Sequence, residues 1–294
     1  MIHYGLAGWS YADWDGRVYP RPKPTGFHAL PFLARYVDLM ELNSSFYALP
    51  NPAHAARWVE QLADEPTFRF TAKLHQSFTH GPLAGIDARA AEAFTLGLAP
   101  LVDAGRLLCV LVQFPVSFRA SPAAWTRLER IRGLFPDTHF VAELRHRTWF
   151  DDAAMVRLQR MAYGLAHLDL PAAKDHPPAD HPSLGDLAYL RIHGRNAGAW
   201  FDPKAGRDDR YDYRYTEPEV EALARRLEHV AARSEKALLV ANNHFGGQAL
   251  AATLEIKAAV TGERVAAPDT LLDAYPDLTR IADGEAPGGQ QTLF

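Results

Sequence analysis

Apolar residues in this chain come in short continuous blocks, and most blocks end abruptly in polar groups. Such runs lie near residues 2–8, 37–43, 67–74, 107–113, 138–144, 163–169, 187–193 and 237–242. Unbroken apolar character, rather than strict alternation, marks strands covered on both faces. Between most of the runs, apolar residues recur at helical spacing, over 52–63, 88–104, 122–134, 153–161, 217–232 and 247–260. Helix starts are punctuated by Ser121 before Pro122, by Asp151 and Asp152 before Ala153, and by Thr216 ahead of Glu217, Pro218 and Glu219.

Strands alternating with helices imply right-handed βαβ units and a parallel sheet. About eight units predict an α/β fold of one domain, a TIM-like (β/α) barrel. Two segments break the rhythm, 171–185 and 194–214, and read as long loops on the C-terminal face of the strands, where barrels keep their chemistry. The barrel is expected to span 1–283, followed by a flexible tail, 284–294, that opens with Gly284-Glu285-Ala286-Pro287-Gly288-Gly289.

Composition narrows the options. A chain of 294 residues with 48% hydrophobic and 22% charged residues must fold around a core. A net charge of -4 excludes a broad basic face for nucleic acid and leaves only a focal anion site. The single cysteine, Cys109, falls inside an apolar run and reads as an inert core thiol. No run approaches the roughly 18 apolar residues of a membrane span, and the first residues lack a signal-peptide pattern, so a cytoplasmic location is expected.

The candidate chemistry lies where the apolar runs end. Glu41 and Glu143 are a candidate acid–base pair or ligands for a hard cation, and Lys73, Arg145, Arg191 and Arg195 would converge with them as a positive cluster for phosphate or carboxylate, the alternative being that the cations only compensate the two carboxylates as salt bridges. His75, His80, His146, His193 and His244 also sit at or just past strand ends, and Asn43, Gln113, Asn242 and Asn243 offer amides. Neither compact zinc spacing nor a cysteine pair occurs, so a divalent metal is not the favoured reading. Trp9, Tyr11, Trp14, Phe46, Tyr47, Trp149 and Trp200 either pack the barrel rim or form a stacking wall for a planar ligand. Gly5-Leu6-Ala7-Gly8 lacks the third glycine of a dinucleotide fingerprint. At the end of the tail, Gln290 followed by Leu293 and Phe294 resembles the short peptide by which bacterial polymerases and repair proteins dock on the sliding clamp. The alternative is that Leu293 and Phe294 fold back onto the barrel.

Taken in order, Gly8-Trp9-Ser10-Tyr11 with Trp14, Gly16 and Tyr19-Pro20, then Glu41-Leu42-Asn43-Ser44-Ser45-Phe46-Tyr47, Lys73, Thr79-His80 and Gln113-Phe114-Pro115 resemble the YecE-like family of unknown function. Glu143-Leu144-Arg145-His146 with Trp149, Arg191-Ile192-His193-Gly194-Arg195 and Asn242-Asn243-His244 extend the resemblance from Ile2 to about Gly262. It implies a TIM-like barrel, likened to the endonuclease IV and xylose isomerase types, and little biochemistry. The dense metal-binding series of that endonuclease is missing here, which speaks against a three-metal nuclease.

The function expected from these features is an enzyme acting on a phosphate-bearing substrate, a nucleic-acid end or nucleotide, by hydrolysis of a phosphoester or glycosidic bond. Lys73, Arg145 and Arg191 would hold the anion, with Glu143 as general base and His193 as its partner acid. Glu41 and Asn43 would orient the substrate, and Asn243 would donate hydrogen bonds. A non-catalytic clamp-associated binding module and a sugar-phosphate isomerase or lyase are the alternatives.

Overall fold

The computed structural model describes residues 1–284, so Gln290, Leu293 and Phe294 lie outside the described residues. Eight parallel strands close into a barrel in sequence order: β1 Ile2–Ala7, β2 Leu39–Leu42, β3 Arg69–Lys73, β4 Leu107–Gln113, β5 Phe140–Glu143, β6 Tyr163–Asp169, β7 Leu187–Ile192 and β8 Lys236–Ala241. Closure is direct, with Tyr4 of β1 opposite Leu239 of β8. The α/β barrel read from the apolar runs is therefore the fold.

Helices cover most of the outside, and their starts are chemically specified. Asn51 accepts from the Ala53 amide ahead of Pro52–Gln61, Asp87 from that of Arg89 ahead of Ala88–Asp103, and Ser121 from that of Ala124 ahead of Pro122–Leu134. Asp151 does the same for Asp152–Arg160, while Glu219 reaches back to the amide and hydroxyl of Thr216 at the head of Glu217–Ala231. The last large helix, Gln248–Thr261, is buried along most of its length, because it packs on β1 and β8 and is then covered by the segment carrying the short strand pair Val265–Ala266 and Ala282–Asp283. The β6–β7 connection carries no helix, as its Pro-rich sequence suggests. The 194–214 insertion, expected as plain loop, contains two short helices, Ala197–Phe201 and Arg207–Tyr211. Among the described residues no helix is long and apolar enough to cross a membrane.

Parallel pairing puts every second residue inside the barrel. Leu39, Cys109, Leu111, Val141, Ala166, Leu187, Tyr189, Leu238 and Val240 fill its interior as one cluster, separate from the larger core between strands and helices. Burial pushes the Cys109 thiol well above its ordinary value, with Glu41 adding to the shift, so it stays protonated. Gly5 is inward as well, and a Cβ there would sit 2.5 Å from the Leu39 carbonyl oxygen. Only glycine permits that approach of β1 to β2. One step further toward the strand C-termini the inward residues turn polar, and this change of chemistry defines the site.

Candidate active site

The polar inward layer is formed by Glu41, Lys73, Gln113, Glu143 and Arg191 at the ends of five strands, with His193 and Asn242 just beyond β7 and β8. Arg191 organises it. Its Nε and Nη2 donate to the two Glu41 oxygens at 3.0 and 2.6 Å, and its Nη1 donates to Glu143 Oε2 at 2.8 Å. Arg145, two residues past Glu143, closes on Glu143 Oε1 through Nε at 2.7 Å and Nη2 at 2.6 Å. Tyr189 donates to Glu41 at 2.7 Å and is itself within 3.1 Å of the Thr71 hydroxyl.

These contacts fix the charge states. Burial pushes the Glu143 carboxyl up, but Arg191, Arg145, His193 and Lys73 outweigh it and hold the group well below the usual carboxylate range. Burial and the adjacent Arg191 keep His193 neutral. Asn242 Nδ2 lies 3.1 Å from His193 Nδ1, while Arg191 Nη1, a donor only, lies 3.4 Å from His193 Nε2, which is also 3.7 Å from Glu143 Oε1. The positive cluster expected at this face is thus largely matched by carboxylates, two guanidiniums against Glu41 and Glu143.

Lys73 stands apart. Its ammonium lies 4.2 Å from the centroid of the Phe46 ring and has neither a hydrogen bond nor an ion pair among the described residues. Burial, reinforced by Arg191, lowers its pKa to about 7 against the pull of Glu41 and Glu143.

Above this layer a cavity of about 530 Å³ opens on the C-terminal face of the barrel. Lys73, Arg191, Gln113 and Asn242 lie at its base, and Asn43, Gln76 and His80 add polar groups. Trp9, Tyr11, Phe46, Tyr47, Tyr211 and His244 supply flat walls. The walls are braced. Tyr11 stacks on His244 with centroids 4.3 Å apart, and Phe46 meets Tyr47 and His80 edge-on at 5.1 Å. Gly8 makes the turn beneath them at φ 87°, a conformation that an L side chain resists. Asn43 donates to the Ala7 carbonyl at 2.8 Å and, among the described residues, leaves its own Oδ1 without a partner.

The expected residues divide cleanly. Asn43, Lys73, Gln113, Arg191 and Asn242 line the cavity, whereas Glu41, Glu143 and His193 lie beneath it, fully buried around Arg191, and Arg145 grips Glu143 from the side. Three others are used elsewhere. Arg195 forks onto Asp169, with Nη2 at 2.7 Å, and bonds Glu219 at 3.0 Å. His75 caps the helix Gln76–Thr79 by accepting from the Ser77 amide, and Asn243 donates to the Tyr213 carbonyl at 2.9 Å. Of the other residues singled out as candidates, His80 and His244 reach the cavity, whereas His146 bonds Thr148 and Trp14 and Trp149 are core residues. Among the described residues no group of three or more His, Cys, Asp or Glu side chains is placed to hold a metal ion.

Sequence reasoning passed over Gln76 and Tyr211 as cavity residues and Tyr189 and Asp169 as buried partners. Tyr211 gave a signal, an aromatic residue within an insertion on the functional face. Tyr189 gave none, because inside an apolar strand its hydroxyl is indistinguishable from core filler.

A sequence profile for the family described as "Protein of unknown function DUF72" matches residues 3–274. The chain belongs to that family. It is 28% identical over 264 residues to the UPF0759 protein YunF of Bacillus subtilis (strain 168), covering 85% of this chain and 91% of that protein. Over 153 residues it is 33% identical to the UPF0759 protein YecE of Escherichia coli (strain K12), covering 51% of this chain and 50% of YecE. Among solved structures, a DUF72 family protein of Thermotoga maritima MSB8 superposes with a TM-score of 0.76 at 29% identity, covering 89% of this chain and 99% of that one. A DUF72 family protein of Enterococcus faecalis V583 shares the fold, with a TM-score of 0.75 at 24% identity and coverage of 89% and 96%.

Proposed function

We infer that this DUF72 protein is an enzyme that takes the base and sugar of a nucleotide or nucleic-acid end into the aromatic cavity and cleaves the glycosidic bond, with Lys73 as the reacting group. The observation that carries this reading is the Lys73 amine, buried under Phe46 at the cavity base without an ion pair among the described residues. With its pKa lowered to about 7, a large fraction of it holds a free lone pair at neutral pH. That lone pair can take a proton from the water that attacks the anomeric carbon as the base departs. Flat walls suit a planar ring, and the amides of Asn43, Gln113 and Asn242 suit the donors and acceptors along its edge.

The proton-handling role expected of Glu143 passes to Lys73 in this scheme, since a carboxylate held by two guanidiniums is a weak base. His193, neutral and below the cavity, positions Arg191 and Asn242. Phosphoester hydrolysis is the less supported half of the expectation. Its transition state needs surplus positive charge, and the guanidiniums here are matched by carboxylates. The same amine favours a second reading, a lyase that forms a Schiff base with a sugar carbonyl. The tail motif of Gln290, Leu293 and Phe294 would bring such an enzyme to the sliding clamp, on the strength of its sequence spacing alone.

The test is a screen of nucleosides, nucleotides and base-modified oligonucleotides for base release, repeated with Lys73→Met. Loss of turnover by about 100-fold or more with binding retained supports the assignment. Wild-type turnover in Lys73→Met overturns it, and binding without turnover in the native protein points to the non-catalytic module. Trapping with borohydride separates the lyase, which forms a covalent adduct, from a hydrolase, which does not.

A further inference from the structure

The wall of the cavity formed by Trp9 has a second side. A separate groove of about 360 Å³ is lined by Trp9 together with His28, His54, Arg57, Trp58 and Gln61. Four of these residues, His54, Arg57, Trp58 and Gln61, stand at i, i+3, i+4 and i+7 of the helix Pro52–Gln61 and so share one face of it. That face turns toward Trp9, whose ring meets Trp58 edge-on at 5.5 Å. The partition is held in place, because the Trp9 carbonyl accepts from the Tyr19 hydroxyl at 2.5 Å. Trp9 thus lines both the groove and the cavity.

Their electrostatics differ. At the cavity base, Arg191 is paired with Glu41 and Glu143. In the groove, Arg57 is exposed, makes no ion pair among the described residues, and stands with two imidazoles and no acidic side chain in the lining. A ligand carrying an anion next to a planar ring would find the ring's site in one compartment and the anion's in the other.

We propose that the groove across Trp9 is a phosphate subsite, in which Arg57, with His28 and His54, holds the phosphate attached to the sugar whose base occupies the main cavity. This rests on the nucleoside reading of that cavity and adds to it the position of the anion. A guanidinium offers a phosphate two parallel donors, the geometry that favours arginine at such sites. The phosphate can come from a mononucleotide or from the first linkage of a strand, and both present the same group on the sugar that carries the base.

The experiment is titration calorimetry on the full chain with nucleosides, their 3′- and 5′-monophosphates and the matching dinucleotides, each repeated with Arg57→Gln. For a nucleoside that binds, at least one phosphorylated form should bind about tenfold tighter, worth about 1.4 kcal/mol. Arg57→Gln should erase that increment and flatten the salt dependence by about one phosphate contact. A gain confined to dinucleotides identifies a strand as the source, and a gain with mononucleotides identifies the free nucleotide. If a nucleoside binds and phosphate adds nothing, or Arg57→Gln leaves the increment intact, the subsite is overturned while the cavity reading stands. If no nucleoside binds at all, the cavity reading fails first and takes the subsite with it.

Discussion

Arg191 forks onto Glu41 with two hydrogen bonds, at 3.0 and 2.6 Å, in a place where neither side chain is more than 1% exposed. A pair so deeply buried is costly to break, because removing one partner strands the other's charge in a low-dielectric interior. Arg191→Met strands the Glu41 carboxylate, while Glu143 keeps Arg145, and should cost about 3–5 kcal/mol in urea unfolding at pH 7. A loss under about 1 kcal/mol would show that the cluster relaxes around the missing guanidinium.

Lys73 should make the protein less stable at neutral pH than it would be without the amine. Its pKa falls from the ordinary 10.5 to about 7 on folding, so between those values the unfolded chain binds more protons and stability rises with pH. Lys73→Met should therefore stabilise the fold by about 2 kcal/mol at pH 7 and below, after allowance for the lost contact with Phe46. The advantage should fade toward pH 10. A pH-independent difference between the two proteins would rule out the shifted amine.

Acid sensitivity should trace in part to a second buried pair. His167 and His181 stack face to face with centroids 4.1 Å apart, and burial, with His181 adding to it, lowers the His167 pKa to about 2. For His181, burial outweighs the bond to the Pro182 carbonyl and lowers it to about 4. Both folded values lie below the ordinary 6.5, so the unfolded chain takes up protons that the folded one refuses, and stability falls as pH drops from about 6.5 toward 4. His181→Phe keeps a ring against His167 and should make that limb shallower by about one proton, or about 1.4 kcal/mol per pH unit. Coincident slopes in the two proteins would show that His181 does not contribute.

Clamp docking can be measured on the tail alone. A labelled peptide covering residues 288–294 should bind a purified bacterial sliding clamp with micromolar affinity by fluorescence anisotropy. Replacing Leu293 and Phe294 by alanine should abolish that signal. No binding would remove the tail as a reason to connect the protein with replication or repair.

The barrel was legible because parallel strands advertise themselves as unbroken apolar runs, and the ends of those runs marked Glu41, Lys73, Glu143 and Arg191 without any structure. Pairing was not legible. Which carboxylate Arg191 holds depends on strands brought together from 150 residues away, and no local pattern encodes that. Orientation beyond a strand end was equally hidden. Asn242 and Asn243 are neighbours, yet one lines the cavity and the other bonds Tyr213 outside it. His75 has the same parity as Lys73, but the chain has already turned into a helix there, so the imidazole becomes a cap. Arg195 was read as a cavity cation because its partner Asp169 lies inside an apolar run and drew no notice.

Tyr11 and His244, stacked in the cavity wall, come from the connections after the first and last strands, and the Trp14 indole beside them donates to the His244 carbonyl at 2.7 Å. The seam where the sheet meets itself therefore runs through the binding wall. A chain in which the eighth strand has yet to dock has no complete cavity, so ligand occupancy would act as a latch on circular closure. Ligand should accordingly slow the unfolding steps that begin by peeling that seam, while leaving those that begin on the opposite side of the ring almost unchanged.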